Sequence, residues 1–498
     1  MHLLRVQVPD FRGLKNIDIT FEKNFVPKIF PLGSQNGGGK STLLQLIFVL
    51  LHCSVDEAKK PFLQNLLQGF KVADGEEKRV LAIIDIWDGE KVVKIDFFSY
   101  KDSSIKELLT LDNKKESVDE VYLSFSASKK LKILKKKIFD IEAENMKLQN
   151  ALSELNIIIE IEDDLEKREQ FREFIDSERR LLLEFLELRS VTRYGTIPSI
   201  KEVPRIENLI QQRLKTRAIN SIKAAKQCQK LEEICENITE YLQSKDMTYM
   251  CNYSSNQNSN NKQDEALLCH LNNIDRKETE AFLRRLSDKI VLAAPSTQVF
   301  LFLPPDSRKL LFSNSSNGDN YYGILESARS ELAGLFTYDF LAVELLIESF
   351  KAARDRDFRE AINTGGYGNS YQTLINDLNL LLANKRINLN EDFSGVNFKL
   401  DKNGETIELY PEDLSHGELK RLSIYIWLKS RNIKDAIVLM DEVEIAFHPD
   451  WQYQIISDLK DWAPSNQYIL ATHSYALCEA LTPAHVKEIE PKLIKQEL

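Results

Sequence analysis

Residues 34–42 read Ser-Gln-Asn-Gly-Gly-Gly-Lys-Ser-Thr, and Gly33 stands directly before them. A largely apolar run, 26–32, precedes this stretch, and another, 43–48, follows it. A strand, a glycine-rich turn and a helix in that order are typical of a phosphate-binding loop. The backbone N–H groups of such a turn converge on phosphate oxygens, and the N-terminus of the helix adds a positive dipole. The stretch therefore predicts a site for a nucleoside triphosphate.

Within the loop, Lys40 is expected to reach the β- and γ-phosphates and the Ser41 hydroxyl to hold Mg²⁺. Ser34 departs from the usual pattern, which has its first glycine there. A simple turn is the alternative, but Lys-Ser-Thr after the glycines, with these flanks, favours phosphate binding. The loop residues assigned to the nucleotide are Asn36, Gly37, Gly38, Gly39, Lys40, Ser41 and Thr42.

The chain has 498 residues, enough for two or three domains, an ordinary balance of apolar and charged residues, and a formal net charge of −10. That charge provides no bulk positive field for nucleic acid or a membrane. The six cysteines lack metal-binding spacing and are expected to be reduced thiols. No signal peptide is apparent, and no apolar run reaches the ~20 residues of a membrane span. We expect a cytoplasmic protein without a membrane partner.

The first 128 residues contain several short runs in which apolar and polar positions alternate. This alternation predicts half-buried strands. The expected strands cover residues 3–8, 17–21, 80–86 and 91–98, the last two as a hairpin. Together with the helix after the phosphate-binding loop, residues 1–128 are predicted to form an α/β lobe with an antiparallel edge.

Residues 129–290 are expected to be a helical arm. Apolar side chains recur at steps of three and four over 131–159, and less regularly over 171–188 and 210–242. Such a repeat is typical of coiled coils, so the pattern favours an antiparallel coiled coil; a compact helical bundle is the alternative. Six lysines within 129–137 could contact a phosphate backbone or could form a solvated helix face.

Residues 291–498 return to α/β patterning and are predicted to form a second lobe. Residues 299–303 are expected to form a buried strand. Residues 436–440 are apolar and lead into Asp441 and Glu442, as in a buried parallel strand. In a nucleoside triphosphatase the first of two such acids holds Mg²⁺ through water, and the second polarises the attacking water.

Two further motifs follow the same logic. His473 comes directly after the apolar strand 468–471, at the strand end where α/β sheets bind ligands. It can hydrogen-bond a γ-phosphate there, or it can be a packed core histidine. Ser415 and Glu418 form a capping box before an apolar-periodic helix. Ser415 and the N–H of Gly417 could instead receive a γ-phosphate, because a helix start is also an anion site.

This set of motifs resembles that of ATP-binding-cassette (ABC) ATPases of the chromosome-maintenance and RecF-like branch. The matching residues are 34–42 (Walker A), 414–418 (signature), Asp441 and Glu442 (Walker B), His448-Pro449 (D-loop region) and His473 (switch histidine). The resemblance implies an ABC ATPase head, a mixed sheet with flanking helices, split by a long helical insertion. Residues 9–15 resemble the first hairpin of this branch, whose arginine reaches the nucleotide, and this implies that role for Arg12. The glutamine-loop residue has no clear counterpart; Gln64 is one candidate.

The resemblance also implies a mechanism. Two heads dimerise head to tail, giving a homodimer or a higher even-numbered oligomer, with each ATP between Lys40 of one head and Ser415 of the other. Hydrolysis at Glu442 then opens the dimer and moves the arms. The implied cofactors are ATP and Mg²⁺. The implied metal ligands are Ser41 and Asp441, and the implied signature contacts are Ser415, Gly417 and Glu418.

The strings at 441–449 and 471–474 are similar to those of stand-alone ATPases of bacterial antiphage systems: Septu, retrons that contain Septu, and PARIS. OLD-type nucleases share these strings but add a nuclease domain, for which the residues after Ser474 are too few. We therefore expect a separate effector nuclease or toxin as partner, with DNA or retron nucleic acid as a further partner of this branch. The alternatives are a DNA-repair ATPase that clamps DNA and a structural protein that uses ATP only to hold a dimer together.

Overall fold

The computed structural model describes residues 1–34, 37–101, 126–184, 199–254, 264–303, 330–338, 343–382, 384–390, 392–402 and 405–489. The chain divides into two compact units. The first comprises Met1–Ser104 and Lys245–Leu498, and the second comprises Ile105–Ser244. None of the helices within the described ranges is long and apolar enough to cross a membrane.

The first unit contains a six-stranded antiparallel sheet. Its strands lie in the order β2-β1-β4-β5-β7-β6. They are β1 (His2–Phe11), β2 (Leu14–Thr20), β4 (Lys78–Trp87), β5 (Val92–Lys101), β6 (Met247–Ser254) and β7 (Asp264–Asn272). The predicted hairpin is confirmed, because β4 and β5 pair antiparallel.

In a second six-stranded sheet, which carries the motifs of interest, every neighbouring pair of strands is parallel. Its order is β15-β3-β14-β13-β8-β9. The strands are β3 (Ile29–Gly33), β8 (Ile290–Ala294), β9 (Leu335–Thr337), β13 (Ile437–Asp441), β14 (Gln467–Ala471) and β15 (Lys487–Glu488). Asp441 lies in register with Ala471, which lies in register with Leu32. The segments after these three strands therefore leave the sheet at one edge.

The described residues of the first unit include eight α-helices. They are α1 (Lys40–His52), α2 (Lys60–Leu67), α7 (Arg276–Ser287), α8 (Val343–Thr364), α9 (Ser370–Leu381), α10 (His416–Ser430), α11 (Pro449–Trp462) and α12 (Tyr475–Glu479). A three-stranded sheet of β10 (Lys385–Leu389), β11 (Val396–Lys402) and β12 (Glu405–Leu409) lies beside α9.

The two faces of the parallel sheet belong to different cores. Leu439 of β13 joins the core that includes α1 and the antiparallel sheet, whereas Met440 joins the core that includes α10 and α11. Helix α1 is buried along nearly its whole length. This explains why residues 43–51, apart from the buried Gln45, are apolar all round rather than on one stripe.

The second unit is helical, with α3 (Ser126–Glu160), α4 (Asp164–Ser177), α5 (Arg179–Glu184) and α6 (Val203–Ser244). Helices α3 and α6 pack antiparallel, because Lys135 pairs with Glu232 at 2.8 Å and Glu144, further along α3, pairs with the earlier Arg217. Apolar side chains of α3, α4, α5 and the start of α6 form a small separate core. The unit thus combines a long helix pair with a compact cluster, and a true coiled coil stays a prediction.

Two expectations differ from the structure. Residues 296–302 form a 3₁₀-helix rather than the strand expected at 299–303, since a short apolar run fits either state. Strands β6 and β7 belong to the antiparallel sheet, although the predicted arm extended to residue 290. The helical repeat fades near residue 242, and the polar segment 256–261, which lies outside the described residues, hid the hairpin pattern on either side of it.

Candidate nucleotide-binding site

The phosphate-binding loop has the backbone that its glycines allow. Gly37 and Gly39 have φ values of 77° and 90°, in the left-handed region that side chains rarely adopt. Gly39 is the N-cap of α1, and its carbonyl accepts the N–H of Leu43 at 2.9 Å. Helix α1 therefore begins at Lys40, with its N-terminus at the loop. Asn36, also assigned to the nucleotide, lies outside the described residues.

Lys40 is only 5% exposed, and its ammonium points back over the loop. Its Nζ donates to the Ser34 carbonyl at 2.9 Å and to the Ser34 hydroxyl at 3.0 Å, and lies 3.5 Å from Nδ1 of His473. Burial lowers the pKa of Lys40, while the carboxylates of Glu444, Asp441 and Glu442 oppose that shift. A buried cation surrounded in this way is well placed to hold phosphate oxygens.

The two residues predicted to hold magnesium, Ser41 and Asp441, are in direct contact. The Ser41 hydroxyl donates to Asp441 Oδ1 at 3.0 Å. Asp441 is 2% exposed, and burial raises the pKa of its carboxyl to about 7, helped by Glu442 and Glu444 and opposed by the Ser41 hydrogen bond. A hydroxyl and a buried carboxylate are the oxygen donors that Mg²⁺ accepts beside substrate phosphates, and a cation would offset the cost of burying that charge. These residues fit the metal.

Glu442 lies one residue beyond β13, where the chain turns sharply. Its φ of 53° is unusual for a glutamate, and its N–H donates to the Ala471 carbonyl at 2.9 Å. The Glu442 carbonyl accepts the ammonium of Lys420 at 2.9 Å. Strain of this kind is found at functional sites, where the surroundings hold it in place.

His473 follows β14 at the same sheet edge, and its residue is exposed. Its backbone N–H donates to Glu444 Oε1 at 2.7 Å. The structure thus brings Lys40, Ser41, Asp441 and His473 together, with Glu442 directly beside them. Since the imidazole is exposed, it is free of the apolar packing that the core-histidine alternative required.

The signature segment forms the capping box that the sequence predicts. Ser415 is the N-cap of α10; its hydroxyl accepts the N–H of Glu418 at 3.3 Å, and its own N–H donates to Glu418 Oε2 at 2.9 Å. Burial alone would raise the pKa of Glu418, but hydrogen bonds from Lys385, at 2.5 Å, and from Ser415 lower it. The residue Ser415 is exposed, whereas Glu418 is buried.

Position 417 requires glycine, because other parts of the chain lie too close to its backbone for a side chain. A Cβ there would lie 2.8 Å from the carbonyl oxygen of Ala446 and 3.1 Å from the ring of Trp451. The start of α10 therefore packs directly on the segment that follows Glu442.

Arg12 sits in the turn between β1 and β2, with φ of 53°. Its Nη2 donates to the carbonyl of Leu66 at 2.7 Å, and its guanidinium lies 5.2 Å from the centroid of the Phe11 ring. These contacts place it at the end of α2. Its predicted contact with the nucleotide stays a prediction.

Three side chains near the motifs were missed from the sequence. Lys420 donates to the Glu442 carbonyl, Glu444 accepts the backbone N–H of His473, and Gln298, in the 3₁₀-helix after β8, accepts a hydrogen bond from Gln45 of α1 at 2.5 Å. Gln64, the candidate glutamine-loop residue, donates instead to the Asn252 carbonyl of β6. Only Glu444 had a visible signal, as the third acid of Asp-Glu-Val-Glu.

Comparison with known families gives one match. Residues 277–479 match the family described as AAA domain, putative AbiEii toxin, Type IV TA system. The match covers less than half of the chain, and it includes the signature, Walker B and switch-histidine segments.

Two curated proteins are similar over short regions. The probable ATPase of retron Vc95 from Vibrio cholerae serotype O1 biovar El Tor is 30% identical over 99 residues, 18% of this chain and 19% of that protein. The DNA replication and repair protein RecF of Saccharophagus degradans is 31% identical over 108 residues, 21% of this chain and 28% of that protein. The chain thus spans less than a third of either relative. With the family match, they support an ATPase of the ABC/SMC-like branch.

Among solved structures, the Smc head domain of Pyrococcus furiosus with an extended coiled coil, bound to the C-terminal domain of ScpA, is 14% identical at a TM-score of 0.29. The comparison covers 96% of this chain and 91% of that one. The Smc head domain of Pyrococcus yayanosii with a coiled coil and joint is 13% identical at a TM-score of 0.30, covering 96% and 93%. TM-scores this low do not show that the folds are the same.

Proposed function

We propose that this protein binds ATP with Mg²⁺, hydrolyses it, and acts as a nucleotide-gated sensor and scaffold in an antiphage defence system, where it controls a separate effector nuclease or toxin. One observation supports the ATPase part above all others. The Ser41 hydroxyl contacts Asp441 at 3.0 Å, across 400 residues of sequence, beside the buried ammonium of Lys40. Such a pairing of a loop serine with a strand-end aspartate is the arrangement that a magnesium–nucleotide complex needs.

Each residue has a separate task in this proposal. Lys40 and the N-terminus of α1 hold the β- and γ-phosphates, and His473 hydrogen-bonds the γ-phosphate. Glu442 accepts a proton from the attacking water and orients it in line with the bond that breaks. Bound Mg²⁺, held by Ser41 and Asp441, would neutralise charge on the phosphate oxygens.

The signature completes the site from a second copy. Ser415 is exposed at the N-terminus of a 15-residue helix, so its hydroxyl and the N–H of Gly417 can receive a γ-phosphate bound by another head. Two heads related by a two-fold axis would then close on two ATP molecules, as a dimer or as pairs within a larger assembly. Hydrolysis removes the γ-phosphate contact and releases the heads.

The defence role rests on similarity to the retron Vc95 ATPase. The similarity to RecF favours a second candidate, a DNA-repair ATPase that clamps DNA in its dimer. The two candidates differ in what the protein holds. A defence scaffold retains a protein effector, whereas a repair ATPase binds DNA with strong salt dependence.

The experiment combines turnover with co-purification. We expect wild-type protein to hydrolyse ATP, Lys40→Ala to lose ATP binding, and Glu442→Gln to bind ATP without turnover. The chain co-expressed with the products of its genomic neighbours, with and without ATP, should then retain a nuclease or toxin. Retention of DNA alone would favour the repair role, and unchanged ATP binding by Lys40→Ala would refute the site.

A further inference from the structure

The turn after β13 is held by the signature helix. The ammonium of Lys420, on α10, donates to the carbonyls of Glu442 at 2.9 Å and Ile445 at 3.1 Å. Lys420 is 6% exposed and lies 4.1 Å from the centroid of the Tyr338 ring. Lys420 thus ties the first and last residues of the turn 442–445 to α10.

The Glu444 side chain, within this turn, contacts the segment that carries His473. Glu444 is 8% exposed, and its Oε1 accepts the backbone N–H of His473 at 2.7 Å. Its Oε2 is also buried and, among the described residues, has no hydrogen-bond partner. A buried carboxylate oxygen without a partner is costly, so a role is expected that offsets this cost.

The charge of Glu444 also reaches the other site residues. Burial lowers the pKa of Lys40, and Glu444 is foremost among the carboxylates that oppose this shift. The Glu444 charge likewise raises the pKa of Asp441, although burial is the main cause there. Glu444 thus lies within electrostatic range of both the phosphate-binding lysine and the magnesium carboxylate.

A purely structural cap is the alternative reading. A cap for the His473 N–H needs one acceptor oxygen, and a neutral side chain would supply it without a buried charge. The structure instead has an ionisable group whose second oxygen has no hydrogen-bond partner in the part of the chain that the structure describes. This difference favours a role in the reaction over a role in folding.

We propose that Glu444 is a positioning residue of the ATPase site: by holding the His473 backbone, it ties the switch histidine to the turn that carries Glu442 and that Lys420 anchors to the signature helix. When the signature segment contacts the nucleotide of a partner subunit, Glu442, which orients the attacking water, and His473, which contacts the γ-phosphate, would then be positioned together. This inference rests on the proposed ATPase function.

The test compares Glu444→Ala, Glu444→Gln and the exposed control Glu405→Ala in the full-length protein. Glu444→Ala should lower kcat about 10- to 100-fold, while its affinity for a non-hydrolysable ATP analogue changes by less than about threefold. Glu444→Gln keeps an acceptor oxygen for the His473 N–H but lacks the charge, so it should restore kcat only in part. Because Glu444→Ala also removes a buried charge, its thermal midpoint should fall by no more than about 4 °C. The control should resemble wild type in every readout.

A double-mutant cycle separates positioning from folding. In a His473→Ala background, Glu444→Ala should cost less than about threefold more, because it acts through the imidazole that is already missing. Fully additive losses, or an equal loss of kcat in Glu444→Gln, would overturn this inference while leaving the ATPase proposal intact. Absence of any Lys40-dependent turnover in wild type would overturn both.

Discussion

Ser415 has two roles in this account, as the cap of α10 and as the phosphate contact of a neighbouring head, and substitution can separate them. Ser415→Ala removes the side-chain cap, which costs about 1 kcal/mol of local helix stability. Ser415→Gly removes the same hydroxyl but costs only a few tenths of a kcal/mol at an N-cap. In both variants the N–H of residue 415 keeps its hydrogen bond to Glu418, which is 2.9 Å long in the wild type.

The contribution of the cap to helix stability is measured by hydrogen exchange in nucleotide-free protein. A loss of 1 kcal/mol should accelerate exchange of the first-turn amides of α10 about fivefold in Ser415→Ala, and less than twofold in Ser415→Gly. The phosphate contact is measured as ATP-dependent dimerisation, by sedimentation in a Glu442→Gln background. Each lost charge-assisted hydrogen bond is worth about 1.5–3 kcal/mol, and a two-fold dimer loses two. The dimer Kd should therefore rise at least roughly hundredfold, and equally in both variants.

Asp163→Ala is the matched control. Asp163 caps α4 by accepting the N–H groups of Leu165, at 2.7 Å, and Glu166, at 3.0 Å. Its loss should destabilise that helix by a similar amount without affecting ATP-dependent association. If the dimer is lost in Ser415→Ala but kept in Ser415→Gly, Ser415 is a cap alone and the phosphate contact is refuted.

Three further predictions concern other residues of α10. Gly417→Ala places a Cβ 2.8 Å from the Ala446 carbonyl, so sedimentation should show loss of ATP-dependent association even if the fold, checked by circular dichroism, is kept. Because the folded pKa of Glu418 is lowered, its stabilisation is present above the ordinary value of 4.5 and is lost as pH falls below it; hydrogen exchange of the first turn of α10 should accelerate on acidification, and Glu418→Gln should flatten that dependence. Arg421→Met leaves the buried Asp458, which it contacts at 2.6 Å, without its cation; thermal unfolding should show a loss of about 3–5 kcal/mol, partly recovered by adding Asp458→Asn.

The sequence was most informative where a function depends on local spacing. The phosphate-binding loop, the strand that ends at Asp441 and the capping box at Ser415 each combine residue types that one short segment needs. The structure has the corresponding strands and helices at those positions. Their approach to one edge followed from parallel strand pairing, which periodicity and composition suggest but do not fix.

Features that depend on tertiary contacts were not accessible in this way. The contact between Glu444 and the His473 backbone joins two turns 29 residues apart, and neither turn indicates it. The 3₁₀-helix at 296–302 was expected to be a strand because its apolar residues alone do not choose a state. Strands β6 and β7 were assigned to the arm because a helical repeat gives no clear signal of where the chain re-enters a sheet.

The central claim is that each ATP site is built from Lys40 of one copy and Ser415 of another, and subunit mixing tests it most directly. Lys40→Ala and Ser415→Gly proteins should each be inactive alone. When they are mixed in equal amounts, only pairs with one copy of each have an intact site. Such a pair has one intact site of two, so turnover should return to a measurable fraction that does not exceed about half of the wild-type value. If the mixture stays as inactive as its components while both variants remain folded and exchange subunits, the shared site is contradicted.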